Sequence, residues 1–254
     1  MNLYLYWNQV RDLTLASIRA RYRRTFAGFI WVLLNPLLQF GVQSLVFKKF
    51  LRLEIPDYHL FLLTGLLPWI FISSTILMGT PAFVSSSHLL KSFKINPLII
   101  MSSKILDNFI NFCVTVLIIL IPFYLKTDRS ILTIFALPLA IVPLIITTSS
   151  ITVYLAVLNV FYRDTNFVVG FVLSLLFFLT PVFYPPGFVP DSYQWIIDLN
   201  PLMYIIEPFR ILFLGSSWSE FYLSLLKGFG VSTIAFAIAT ITWKRKRNAF
   251  YFRL

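Results

Sequence analysis

The chain has 254 residues, of which 58% are hydrophobic and only 12% charged, and its mean hydropathy is +0.82. That balance excludes a soluble globular domain and makes lipid the solvent. The net charge of +11 raises nucleic acid as a partner, but the basic residues stand at the ends of hydrophobic segments and form no aromatic-interleaved face, so membrane topology accounts for them better.

A bilayer core of about 30 Å takes roughly 20 apolar residues per helix. Residues 4–24 place Leu5, Leu13, Leu15 and Ile18 among Arg11, Arg19, Arg21, Arg23 and Arg24. This suits a helix lying on the cytoplasmic surface, or a basic flank that orients the first span. The apolar run after Arg24 is too long for a signal-peptide core, so it is expected to stay as a membrane anchor. The first span, about 28–47, carries Asn35, Gln39 and Gln43, spaced four apart on one helical face. Polar amides in lipid need partners, so this stripe faces either a neighbouring helix or a wet pathway.

The second span, about 58–84, contains Pro68 and Pro81 with Ser73, Ser74 and Thr75 between them. It is predicted to be broken, with the hydroxyls satisfying carbonyls that a proline frees. Residues 85–104 make a long cytoplasmic connection with an amphipathic stretch from Ser87 to Ile95, ended by Asn96-Pro97. The third and fourth spans, about 105–125 and 131–162, are joined outside by Lys126, Thr127, Asp128 and Arg129. The fourth is polar at mid-depth, where Thr147 and Ser150 are candidates to line a path.

After the fifth span, about 166–184, Pro185, Pro186, Gly187 and Pro190 break the chain. The apolar run that follows holds Tyr204, with Glu207 and Arg210 three apart and able to pair. A crossing here would put Lys244, Arg245, Lys246 and Arg247 outside, against the positive-inside rule, so residues 185–226 are read as two short helices dipping in from the outer face. The sixth span is about 222–243, and residues 248–254 form a cytoplasmic tail. With both termini inside, fourteen of the 21 Lys and Arg are cytoplasmic and seven of the ten acidic residues are outside. The expected class is thus an all-α integral membrane protein with six spans. A helical segment at 1–26 precedes a transmembrane domain at 27–247.

No G-x-x-x-x-G-K-[ST] phosphate loop occurs, so ATP power would come from a partner. His59 and His88 fall on opposite sides of the predicted membrane and Cys113 stands alone, which leaves no metal cluster and no intramolecular disulfide. No G-x-S-x-G nucleophile and no buried carboxylate pair is expected, so the chain reads as a non-enzyme. The span centres lack ionisable groups, which argues against an ion-coupled carrier and for an externally driven pathway or a passive pore. The 27 Phe, 12 Tyr and 6 Trp offer surfaces on which sugar rings stack, or else serve interfacial belts and packing.

The segments RYRRTFAGFIWVLLNPLLQF (21–40), YHLFLLTGLLPWIFISSTI (58–76), HLLKSFKINPLI (88–99), VFYRDTNFVVGFVLSLLFFLTPVFYPPGFVP (160–190) and NPLMYIIEPFR (200–210) occur in one order along the chain. Together they resemble the ABC-2-type polysaccharide export permeases. The resemblance implies a half-transporter of the bacterial inner membrane, in which two copies form the channel. Two cytosolic ATPase subunits, which hold the ATP and magnesium, drive export of a lipid-linked polysaccharide. Carried over by segment, Ser87, His88, Leu89, Leu90, Lys91, Ser92, Phe93, Lys94 and Ile95 would be the coupling helix seated on an ATPase. Arg19, Arg21, Tyr22, Arg23 and Arg24 would line the cytoplasmic mouth where the lipid headgroup first meets protein. Pro185, Gly187, Tyr204, Glu207 and Arg210 would belong to the periplasmic gate. The absence of long periplasmic insertions points toward O-antigen or teichoic acid. The rival reading is a passive channel or lipid scramblase, with Asn35, Gln39 and Gln43 lining a water pore.

Overall fold

The computed structural model describes residues 3–22, 28–93, 95–126, 132–215 and 217–254. Arg23, Arg24, Lys94 and the expected outer loop at Thr127, Asp128 and Arg129 lie outside the described residues, as does the side chain of Tyr22. Every regular element among the described residues is helical, as the composition requires.

Four helices are long and apolar enough to cross a membrane. The first is α3 (Tyr58–Gly79), after α1 (Leu3–Tyr22) and α2 (Trp31–Ser44). The short α4 (Ala82–Ser85) and α5 (Ser87–Phe93) lead into the second, a continuous run of α6 (Pro97–Thr115), a π-helical turn at Val116–Leu120 and α7 (Ile121–Leu125). The third is α8 (Leu132–Phe161); α9 (Thr165–Leu179), α10 (Gln194–Asp198) and α11 (Met203–Leu214) then precede the fourth, α12 (Trp218–Arg253). The six-span expectation thus meets four helices of full length, with α2 and α9 shorter.

Helix α3 is apolar all round and buried over nearly its whole surface, which makes it the axis on which α2, α6, α8, α9 and α11 pack. Gly79 allows α8 to approach, since a Cβ there would overlap Thr152 Cγ2. The predicted break falls at Thr80-Pro81, not at Pro68, which sits inside α3. The hydroxyls of Ser73 and Ser74 bond to the carbonyls of Trp69 (2.9 Å) and Ile70 (2.5 Å). These are ordinary one-turn-back partners, not carbonyls left open by a proline.

Several boundaries differ from the sequence reading: α3 ends at Gly79 and α9 at Leu179, short of 84 and 184, and capping residues move two helix starts. Asn96 caps α6 by accepting from the Leu98 amide at 3.0 Å, so this helix starts at Pro97 and not near 105. Ser217 caps α12 and Glu220 stands at its third position, so the last helix starts a turn before 222 and runs on to Arg253. At 36 residues it is about 54 Å long, well beyond a bilayer core of about 30 Å. Its last turns are held by Phe250, fully buried against Phe83 and Trp243.

The bundle has two distinct ends. One gathers Lys91, Lys104, Arg163 and residues 244–247 and is called the basic end here. The other is capped by residues 180–214, which pack on the start of α3 and on α12.

Candidate functional site

At the basic end, α1 is pinned along α6 by one face. Tyr6 shares a 2.6 Å hydrogen bond with Ser102, and Thr14 donates to the carbonyls of Val10 (2.7 Å) and Ser103 (3.3 Å). Lys104 donates to Ser17 at 3.3 Å. Arg21 closes the series with a 2.5 Å salt bridge to Asp107. Residues 6, 14, 17 and 21 fall on one side of a 3.6-residue helix, while Tyr4, Leu5 and Leu15 stay exposed on the other and Leu3 and Trp7 are exposed at the helix start.

Asp107 is the functional candidate that sequence reasoning missed. Its side chain is 0% exposed against 29% for Arg21, and its Oδ1 is buried without a protein hydrogen-bond partner. Asp107 falls within the expected third span, about 105–125, but so near its edge that a lone carboxylate there passes for a flanking charge. The helix begins at Pro97, so Asp107 lies about 15 Å along it. A buried carboxylate needs its cation, and removing one partner costs several kcal/mol. The signal was available: Asp107-Asn108 followed by Asn111 puts three polar side chains within two turns of an apolar run.

Asn108 and Asn111 border a cavity of about 390 Å³ between α2, α3 and α6, lined also by Arg21, Trp31, Asn35 and Ser74 among others. A second cleft, of about 350 Å³, lies between α2, α3 and α9. It presents Gln39, Gln43, Ser73 and Ser174 beside Trp69, Phe177 and Phe178. The predicted amide stripe therefore divides, with Asn35 on the first cavity and Gln39 and Gln43 on the second. Gln39 donates to Asn35 at 3.0 Å, which links the two. The aromatic wall of the second cleft, with Trp69 and Phe177 5.6 Å apart and Phe177 and Phe178 5.4 Å apart, continues behind it through Phe183, 5.5 Å from Phe177, to Phe47, which stacks on Phe183 at 4.3 Å. Thr147 and Ser150 are not brought to either space. Thr147 bonds Ser232 at 2.9 Å inside the α8–α12 contact, and Ser150 donates to Ile146 at 2.6 Å.

The predicted coupling stretch forms α5 at the basic end. His88, Leu89, Lys91, Ser92 and Phe93 face outward, with Phe93 71% exposed, and Ser87 and Ile95 are half-buried. Leu90 is the exception: it is fully buried among Phe83, Ile100, Met101, Ala156 and Phe250, so it belongs to the core and not to a docking face.

At the opposite end, Thr180 to Tyr184 run between helices as a mostly buried, non-helical segment. Its buried polar groups need partners, and side chains supply several. Arg210 donates to the Val182 carbonyl at 2.7 Å, Tyr58 donates to that of Phe183 at 3.2 Å, and Asn200 donates to the Thr180 hydroxyl at 2.7 Å. The expected Glu207–Arg210 pair does not form. The guanidinium instead turns inward over the Phe61 ring, 4.2 Å from its centroid. Its Nε and Nη1 remain buried without protein hydrogen-bond partners. Gly65 makes the room, since a Cβ there would lie 2.8 Å from both Arg210 Nη2 and the Val182 oxygen. Tyr204 donates to the Asp198 carbonyl at 2.9 Å. Burial, with the carboxylates of Asp198 and Glu207, holds its phenol above the usual value. Pro185 is half-buried and Gly187 exposed, with open space around it.

The chain is 28% identical to the O-antigen export system permease protein RfbA of Klebsiella pneumoniae, over 86% of this chain and 85% of that one. It is 30% identical to the protein of the same name from Myxococcus xanthus, over 83% and 82% of the two chains. It is 25% identical to the polysialic acid transport protein KpsM of Escherichia coli, over 78% of each. The family described as ABC-2 type transporter matches residues 8–214, which hold α1's pinned face from Thr14 onward, the two cavities and the Arg210-centred cap. A helical bundle so matched over most of its length belongs to the ABC-2 type transporter membrane family.

Proposed function

We propose that this chain is the permease subunit of an ATP-driven exporter that moves lipid-linked polysaccharide, with O-antigen the best-supported cargo, across the bacterial inner membrane. One observation carries the reading. In an ABC-2 family chain whose relatives are named for O-antigen and polysialic acid transport, the cleft beside α2 combines an aromatic wall with amide and hydroxyl edges. Sugar rings have apolar C–H faces and hydroxyl rims, so such a surface binds them without a fixed register and lets a polymer slide. Two copies, placed so that their α2 and α9 face each other, enclose the path.

The basic end is cytoplasmic, both termini lie there, and α1 rests on the inner leaflet with its exposed Leu and Trp residues in the interface. Six crossings result if α2, extended by the π-helical turn at Leu45–Phe50, and α9 are added to the four long helices. With 15 residues, α9 is about 22 Å long, so the bilayer thins beside it. The segment from 185 to 214 is the periplasmic gate, with Arg210 as its pin. Two cytosolic ATPase subunits, holding the nucleotide and magnesium, dock on α5 through Leu89 and Phe93.

The test separates the two sides of α5. Leu89→Glu with Phe93→Glu leaves membrane insertion and thermal stability unchanged but abolishes both co-purification of the ATPase and surface display of the glycan. Normal export by that double variant would remove α5 from the coupling role. A Leu90 substitution does not serve, because it disrupts the core.

A further inference from the structure

We infer that the face formed by α8 and α12, remote from the α2 cleft, is a binding site for one anionic glycerophospholipid of the surrounding bilayer. A groove of about 690 Å³ runs between these helices, walled by Ile146, Ser150, Val153, Phe236, Thr240 and Trp243 among others. Three of its five hydroxyls, all but those of Ser149 and Thr240, are already used within their own helices. Ser150 donates to Ile146 (2.6 Å), Ser232 to Gly228 (2.8 Å) and Thr233 to Phe229 (2.8 Å). The groove therefore offers an occupant little but methyl, methylene and ring surface. That suits an acyl chain and not a peptide or a sugar, whose polar groups would go unpaired.

The other half of the ligand follows from helical register. On α12 the groove-lining residues recur at 229, 232, 236, 239 or 240, and 243, and the same face continues at 246 and 247. Lys246 is half-buried, with its ammonium 4.7 Å from the Phe161 ring centroid, and Arg247 is exposed. Among the described residues no carboxylate forms a salt bridge with Lys244, Arg245, Lys246 or Arg247. An apolar slot thus ends one turn from uncompensated positive charge, with Trp243 at the junction. This is the charge complement of a phosphate-bearing headgroup whose tails enter the slot. The site does not depend on the cargo proposed above.

The test uses the full-length protein purified in neutral detergent and loaded with mixed micelles of phosphatidylglycerol and phosphatidylcholine, with retained lipid read by native mass spectrometry. The wild type keeps one phosphatidylglycerol in preference to phosphatidylcholine, and added phosphatidylglycerol raises its thermal midpoint. Lys246→Gln with Arg247→Gln, at positions outside the core, weakens retention on the order of 30-fold. Lys246→Arg retains it, and Thr240→Phe, which fills the slot, abolishes retention with all charges present. Equal retention of the two lipids, or full retention by the double Gln variant, overturns the site. So does displacement by an undecaprenyl pyrophosphate, which would assign the groove to the cargo. A disulfide between two copies of a Thr240→Cys variant in a Cys113→Ser background would assign it to a second chain and equally overturn it.

Discussion

Arg210 and Glu207 lie three apart on α11, yet the structure gives Arg210 different partners, and a double-mutant cycle separates the two arrangements. Arg210→Ala removes a charge-assisted hydrogen bond to the Val182 carbonyl, about 1.5–3 kcal/mol, and a desolvated stack on Phe61, about 1–2 kcal/mol. Burying Nε and Nη1 without partners costs the native state about 1 kcal/mol or more, which offsets part of this. The net loss is therefore about 1.5–4 kcal/mol. Glu207 makes no ion pair with Arg210, so Glu207→Gln costs less than about 0.5 kcal/mol. The double variant then costs the sum of the singles to within about 0.5 kcal/mol. Stability is measured by denaturant titration in mixed micelles, alongside glycan display in cells. A coupling above about 1.5 kcal/mol, with the double variant milder than Arg210→Ala alone, would show that the two charges pair and refute the inward placement of Arg210.

Gly65→Ala places a methyl 2.8 Å from the guanidinium and from the Val182 oxygen. It should destabilise by about 1–3 kcal/mol, and Arg210→Ala in the same chain should relieve part of that loss, read on the same titration. Asp107→Asn removes the charge-assisted hydrogen bond from Arg21 and should cost about 1.5–3 kcal/mol. It should also speed proteolysis of α1 in intact protein, whereas Arg19→Gln, at an exposed position, should leave cleavage unchanged. Single cysteines in a Cys113→Ser background should label Asn248 only from the cytoplasm and Ser192 only from outside; an external Asn248 would remove the six-crossing arrangement.

Much of the fold was legible because proline and glycine punctuate a nearly unbroken apolar sequence. The capped end, the short α5 and the interruption at Thr80-Pro81 all follow such breaks. The misplaced boundaries came from giving charge more weight than capping. Lys104 moved the start of α6 past Asn96-Pro97, and Ser217 with Glu220, three apart, marked the α12 start that Lys227 obscured. The site was legible by residue type more than by partner. Asn35, Gln39 and Gln43 do reach open space, but nothing local shows that α3 divides it. Thr147 looks the same in sequence, yet Ser232, 85 residues away, consumes it. Spacing alone paired Arg210 with Glu207, because a helical wheel cannot show that a non-helical segment lies beneath α11 with a free carbonyl at Val182.

The most direct test of the account is translocation in proteoliposomes that hold this chain with its partner ATPase and a lipid-linked glycan, read by a lectin confined to one side. The account predicts glycan transfer that requires both the ATPase and hydrolysable ATP, and that falls when Trp69 and Phe177 are replaced by Ala together. Transfer at the same rate without ATP would contradict it and identify a passive scramblase.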